Sequence, residues 1–204
     1  MNPEITFNAE LHEYRNAKGE IVPSVTQVLT GIGLLDFGAV KSDVLDTAAQ
    51  RGTIVHRITE LHDKGEEFDD DDNDLIPFLG YFNAYKKFLS DFGIKIFQSI
   101  EEIIYSKQMG YAGTLDRIAI IGTDKMLFDI KTGAEHPAHE LQIGGYYGAL
   151  MNPQQIKTAG TLYLFAEGTY KFSPCNPENS LLTFLAALNL YKWLKEHNLL
   201  KKGK

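Results

Sequence analysis

Residues 110–147 read GYAGTLDRIAIIGTDKMLFDIKTGAEHPAHELQIGGYY. Two apolar runs, Tyr111–Ile121 and Met126–Lys131, flank Gly122-Thr123-Asp124-Lys125. Apolar runs of this length broken by Gly and Asp predict a β-hairpin with Thr123-Asp124 at its tip. That tip places Asp116 opposite Lys131 and Ile118 opposite Asp129. Asp129 and Lys131 are two apart and share a face, and directly opposed residues share a face too. Asp116, Asp129 and Lys131 are therefore expected to converge on one side of an otherwise apolar sheet. Two carboxylates buried together are costly unless compensated. One lysine neutralises one charge; a divalent cation that prefers hard oxygen ligands, Mg2+ or Mn2+, takes up the rest. The simpler alternative is a buried Asp–Lys ion pair with the other aspartate solvated.

Outward from this stretch, 204 residues suffice for one domain with a sizeable core, and no linker, repeat or low-complexity boundary divides them. With 44% apolar and 23% charged residues the composition is that of a globular protein. No run is long and apolar enough to span a membrane and no signal peptide is evident, so the chain reads as cytoplasmic. A lone cysteine, Cys175, excludes an internal disulfide and a four-cysteine iron–sulfur cluster. The net charge of −7 argues against a protein that coats DNA, though not against a locally basic cleft. Much of that charge sits in Glu66–Asp74, read as a solvated loop. It is not an EF-hand, because the sixth position from Asp69 is Asp74 and the twelfth is Gly80. Phosphate-cradling glycine loops, a G-x-S-x-G elbow and a zinc-type Cys/His cluster are all missing.

In chain order, Ile5–Asn8 and His12–Arg15 predict a small hairpin, with a turn at Asn16–Gly19. Ser24 and Gln27 have the spacing of a helix-opening capping box. Gly31–Gly38 reads as a loop, Val40–Gln50 as a helix, and Arg51–Asp63 as its continuation or successor. His56 and Glu60 lie one turn apart on that helix. Leu75, Phe78, Leu79, Phe82, Tyr85, Phe88, Leu89 and Phe92 form one helical stripe facing the core, closed by Gly93. Ile94–Ser106 reads as strand, and Glu101-Glu102 inside it calls for a reason. Only one of that pair can face a site, because neighbours on a strand point oppositely. Beyond the hairpin, a loop at Thr132–Pro137 leads to a helix from about Ala138 to Met151. Gln142 and Tyr146 share a face of it. Gly144 and Gly145 cost that helix roughly 1 kcal/mol each, which suggests close packing on the sheet. Thr158–Ala166 and Thr169–Ser173 predict a strand pair. A terminal helix over Pro177–His197 carries a stripe of Leu181, Leu182, Leu185, Leu188, Tyr191, Trp193 and Leu194. The elements predict an α/β fold, a central mixed β-sheet flanked by helices.

The ordered set Gly113-Thr114-Leu115-Asp116, Asp129-Ile130-Lys131-Thr132-Gly133, and Gln142 with Tyr146 resembles the PD-(D/E)XK nuclease superfamily. It is most similar to the RecB-like and phage-exonuclease branch, which includes the mitochondrial genome maintenance exonuclease. Pro23-Ser24-Val25-Thr26-Gln27-Val28-Leu29 and Arg51-Gly52-Thr53-Ile54-Val55-His56 resemble upstream parts of the same pattern, and together the matches cover roughly half the chain. The resemblance implies a restriction-endonuclease-like core and a Mg2+-dependent deoxyribonuclease, with Mn2+ able to substitute. It implies an exonuclease more than an endonuclease, acting in phage or cellular DNA recombination or repair. A nuclease fold that binds DNA without cutting it is the alternative. By this resemblance Asp116 and Asp129 hold the metal, with Glu101 (or Glu102) and His56 completing the shell and the Ile130 carbonyl as a further ligand. Lys131 positions or deprotonates water, or stabilises the developing oxyanion. Gln142 and Tyr146 orient Lys131, the water or a phosphate; a buried polar pair serving packing is the plainer role. Arg51, Arg57 and Lys107 are candidate phosphate contacts, and Ser24 or Thr26 could touch DNA backbone. DNA is the expected partner, with a homo-oligomer or a recombination partner protein left open.

Overall fold

A computed structural model describes residues 4–35, 42–67 and 74–200, of which 42–46 as backbone only. Strands β1 (Ile5–Asn8), β2 (Glu13–Asn16) and β3 (Ile21–Val22) form a small antiparallel sheet. The helix α1 (Val25–Gly31) opens with the expected reciprocal cap: Ser24 Oγ accepts from the Gln27 N–H, and the Gln27 side chain accepts from the Ser24 N–H. One continuous helix, α2 (Ser42–Lys64), then carries Arg51, His56 and Asp63. The predicted loop Gly31–Gly38 and the acidic run Glu66–Asp74 lie partly outside the described residues. A short 3₁₀ turn (Ile76–Phe78) leads into α3 (Leu79–Phe92), which buries Phe82, Tyr85, Phe88 and Leu89 and ends on Gly93 at φ 65°.

The main sheet has the order β4 (Ile96–Ser106), β5 (Tyr111–Ile121), β6 (Asp124–Lys131), β7 (Ile156–Leu164) and β8 (Tyr170–Pro174). Helix α4 (Ala138–Ala149) connects β6 to the parallel β7, and every other neighbouring pair is antiparallel. The sheet is therefore mixed, with helices on both faces. The terminal helix α5 (Pro177–Glu196) starts on an Asn176 cap. Among the described residues no helix is long and apolar enough to cross a membrane.

The hairpin register differs from the sequence expectation by two residues. Arg117 pairs with Phe128 and Ile118 with Leu127, so the loop is Gly122-Thr123 and not Thr123-Asp124. Gly122 takes φ 62°, the positive value that the first position of a two-residue II′ turn demands and that glycine supplies freely. Because side chains alternate with period two, a slip of two preserves the face of every residue within the ladder, which ends at Arg117 and Phe128.

Alternation along β6 fills two cores. Leu127 enters one with Val28 and Leu29 of α1, Ile143 of α4 and Phe184 of α5. Met126, Phe128 and Ile130 enter the other with Val55 of α2 and Tyr85 and Phe88 of α3. The α5 stripe needs correcting: Leu182 and Trp193 are exposed, while Ser180, Phe184, Ala187 and Leu188 are buried. Leucine occurs on several faces of that helix, so periodicity could not single out the inner one. Gly144 and Gly145 do permit close approach, but to other helices and not to the sheet. A Cβ on Gly144 would lie 2.3 Å from the Ser180 carbonyl carbon, and one on Gly145 2.8 Å from Val25.

Candidate metal centre

Beyond Arg117 and Phe128 the β5–β6 ladder stops. The Ile130 N–H bonds the Asp116 carboxylate instead, at 2.6 Å to Oδ2. A side-chain oxygen thus takes the place of a ladder partner and pins Asp116 beside the strand that carries Asp129. Opposite it on β4, pairing skips from Ile100 to Glu102, and Glu101 takes φ 48°. A left-handed conformation costs a glutamate in a strand roughly 1–2 kcal/mol. The kink turns the Glu101 carboxylate toward α2, where Oε1 lies 3.3 Å from His56 Nδ1. Glu102 is exposed.

His56, Glu101 and Asp116 each offer an atom within 4.8 Å of the others, a set able to hold a metal ion. His56 Nδ1 also stands 3.7 Å from Asp116 Oδ2, and its Nε2 stands 3.1 Å from the Ile130 carbonyl. Burial alone would lower the imidazole, but Asp116 and Glu101 outweigh it and lift it to about 9. The Ile130 oxygen, expected as a ligand, here accepts from His56 and keeps its second lone pair.

Asp129 is outside that triad. It is 1% exposed. Its contact is the Lys131 ammonium, an ion pair at 2.5 Å to Oδ2 that leaves Oδ1 without a partner among the described residues. Burial raises the Asp129 carboxyl, which Lys131 partly offsets. Burial would lower Lys131, yet Asp129 and Asp116 together hold it above its ordinary value. A buried carboxylate with unspent lone pairs, next to a triad of oxygen and nitrogen donors, fits a divalent cation.

The centre lies where the two helix layers meet at the carboxyl end of β6. It opens into a cavity of about 430 Å³ bordered by Arg51 and His56 of α2, Lys131, and His139 and Gln142 of α4. Gln142 Nε2 donates to the Tyr146 hydroxyl at 2.7 Å and approaches Thr26 Oγ1 at 3.4 Å. Gln142 and Tyr146 thus meet each other as well as the edge of the centre. Burial raises the Tyr146 phenol, and Asp129 and Asp116 add to it. Arg51 borders the cavity and donates through Nε to Thr132 Oγ1 at 3.3 Å. Arg57 pairs with Glu60 at 3.0 Å, and Lys107 with Glu4 at 2.6 Å in the β4–β5 turn; neither borders this cavity.

The largest feature missed from sequence is Arg117. It is wholly buried and donates to Asp63 at 2.5 Å, Glu101 at 2.8 Å, the Asp116 carbonyl at 2.8 Å and Thr59 at 3.1 Å. A cation inside an apolar strand was a visible signal, but its partners lie on other elements. His139 was also missed. Its Nδ1 is 2.9 Å from the Tyr163 hydroxyl, and burial followed by the Lys131 charge lowers it to about 4.

No family model and no curated protein matches the chain. Among solved structures it is similar to a protein titled SSO0001, at 13% identity and a TM-score of 0.37, over 72% of this chain and 71% of that one. It is also similar to an alkaline exonuclease (LHK-Exo) from Laribacter hongkongensis, at 14% identity and a TM-score of 0.38, over 86% of this chain and 92% of that one. Likeness at this level assigns neither an activity nor a site.

Proposed function

We propose that the chain is a metal-dependent deoxyribonuclease of the PD-(D/E)XK superfamily, in its RecB-like and phage-exonuclease branch, acting on DNA ends as a single nuclease domain. The observation that carries this reading is Asp129: buried, with Lys131 on one oxygen and nothing among the described residues on the other, beside the His56–Glu101–Asp116 triad. Asp116 and Asp129 would hold Mg2+ or Mn2+, with Glu101 and His56 completing the shell and the Ile130 carbonyl in reach. When bound, such an ion supplies positive charge to a phosphoryl oxygen and acidifies water.

The remaining roles belong to side chains. Lys131, paired with Asp129, positions or deprotonates the attacking water or faces the phosphoryl oxygens. Gln142 and Tyr146 border the phosphate and fix each other by their mutual hydrogen bond. Arg51 faces the same cavity and makes binding salt-dependent. Arg57 and Lys107 could contact phosphate only by leaving Glu60 and Glu4.

The test is Mg2+-dependent degradation of end-labelled linear DNA by the native chain against Lys131→Ala. Native protein is expected to shorten the strands progressively, and the variant to lose this. Closed circular DNA should resist. Rapid nicking of circles would make the enzyme an endonuclease, and equal rates for native and variant would remove Lys131 from the chemistry.

A further inference from the structure

On the far side of the triad lies a second cavity, of about 380 Å³. The two cavities abut at the centre. His56 borders the first and Glu101 the second, and those side chains are 3.3 Å apart. Thr26 borders both, and with Gln142 and Tyr146 it forms the partition. The linings differ in chemistry. Arg51 and Lys131 serve the first; neither Lys nor Arg borders the second. There Tyr14, Thr26, Thr114 and Tyr146 present hydroxyls, and Phe7 and His12 present rings. Phe7 stacks on Tyr14 with centroids 4.6 Å apart and meets His12 edge-on at 5.7 Å.

Backbone strain points to the same place. Three non-glycine residues among those described have positive φ, and two of them, His12 at 50° and Glu101 at 48°, border this cavity. Such strain persists where the surrounding structure over-determines it, commonly at ligand sites. A volume of this size falls within the roughly 300–1,000 Å³ range of small-ligand pockets.

We propose that this second cavity is a nucleoside subsite: it takes the base and sugar attached to one side of the phosphate that reaches the triad, with the base against Phe7 and His12. The proposal rests on the nuclease reading and makes it more specific. Anionic phosphates pass the cavity that holds Arg51 and Lys131, and the uncharged nucleoside enters the one without cations, where Glu101 would repel a phosphate. Aromatic rings stack on any base, so the subsite is expected to bind without sequence preference. Hydroxyls around it suit the sugar. A base must leave its neighbours to enter, so the substrate at the centre is an unpaired strand end.

A cycle of enzyme and substrate changes tests this. Oligonucleotides carry either a normal base or an abasic spacer at the positions flanking the cleaved bond, and native chain is compared with Phe7→Ala. Removing the base or the ring should each raise KM roughly 5- to 100-fold, and removing both should cost no more than one alone. His12→Asn, which tolerates the left-handed backbone, repeats the test should Phe7→Ala fail to fold. Binding is read separately with 2-aminopurine at the same position, mixed with Asp129→Asn without metal. Its fluorescence should rise on binding as the base leaves its neighbours, and Phe7→Ala added to that chain should reduce the rise. Additive losses, or unchanged fluorescence, in a chain that still cuts DNA would overturn the subsite and leave the nuclease intact. A Phe7-dependent rise with no cleavage by native chain would support the subsite and remove the nuclease reading.

Discussion

Arg117, wholly buried, and Lys131, partly exposed, are cations on adjacent strands, each set against an aspartate, but their surroundings differ. Arg117 spends its guanidinium on four partners, and its Asp63 is itself bonded by Tyr85 at 2.6 Å and His62 at 3.0 Å. Lys131 makes a single ion pair, to an Asp129 whose Oδ1 has no partner among the described residues. A satisfied network makes a core rigid, whereas a partly satisfied one is expensive to keep without a ligand. The contrast separates a pair that holds the fold from a pair that, in the proposed function, receives a metal and a phosphate.

Asp129→Asn should sharpen that contrast most. Cleavage is expected to fall about 10³-fold or more, because the neutral amide cannot hold the cation. Stability should fall by less than in Arg117→Met, because Lys131 is partly exposed and keeps the Asp116 charge nearby. Normal cutting with a larger loss of stability than in that variant would reverse the assignment of the two pairs. In urea melts Arg117→Met should lose about 3–5 kcal/mol, because Asp63 and Glu101 are left buried or half-buried without their cation. A loss under 1 kcal/mol would mean that the network holds little.

Metal addition is the third way to press the comparison. Mn2+ at about a hundred times its dissociation constant should stabilise the native chain by about 2.7 kcal/mol. Chelation should reverse the gain, and Asp129→Asn should show much less of it. An equal gain in that variant would place the ion elsewhere. The smallest effect concerns His139. Its folded pKa of about 4 lies below the ordinary 6.5, so the folded chain binds fewer protons there than the unfolded one. Its contribution to stability is complete above pH 6.5 and is lost as pH falls through about 4. His139→Asn keeps an acceptor for Tyr163 and should flatten stability across that window, measured by urea melts at successive pH values.

That Asp129 and Lys131 share a face was legible because strand periodicity is short and survives a two-residue slip, whereas Asp116 is placed beside them by its bond from the Ile130 N–H. The slip came from reading Gly122 as strand when it supplies the first turn residue. Glu101 was chosen over Glu102 by its place in a motif. Alternation alone could not choose between them, because Glu101 leaves the β region altogether. Leu115 and Ile118, three apart, enter the same core, so β5 also breaks its alternation around Asp116. Arg117 was hidden for a different reason. Its partner Asp63 is 54 residues away on a helix, and no local pattern joins them. His56 was legible from its motif, while its hold on the Ile130 carbonyl required the fold.

The three-stranded sheet meets the five-stranded one through a small apolar cluster of Ile5, Tyr14, Val22 and Ala112, a bridge between Ser24 and Ala112, the Ala112 N–H to Pro23 carbonyl bond, and the Tyr14–Thr114 hydroxyl contact at 2.7 Å. Phe7 and His12 sit on or beside the lesser sheet, Glu101 on the greater. A strand lodged between them would act as a clasp across that seam. Amide exchange in residues 5–22 should then slow when DNA is present, by more than in β6, whose neighbours already enclose it on both sides.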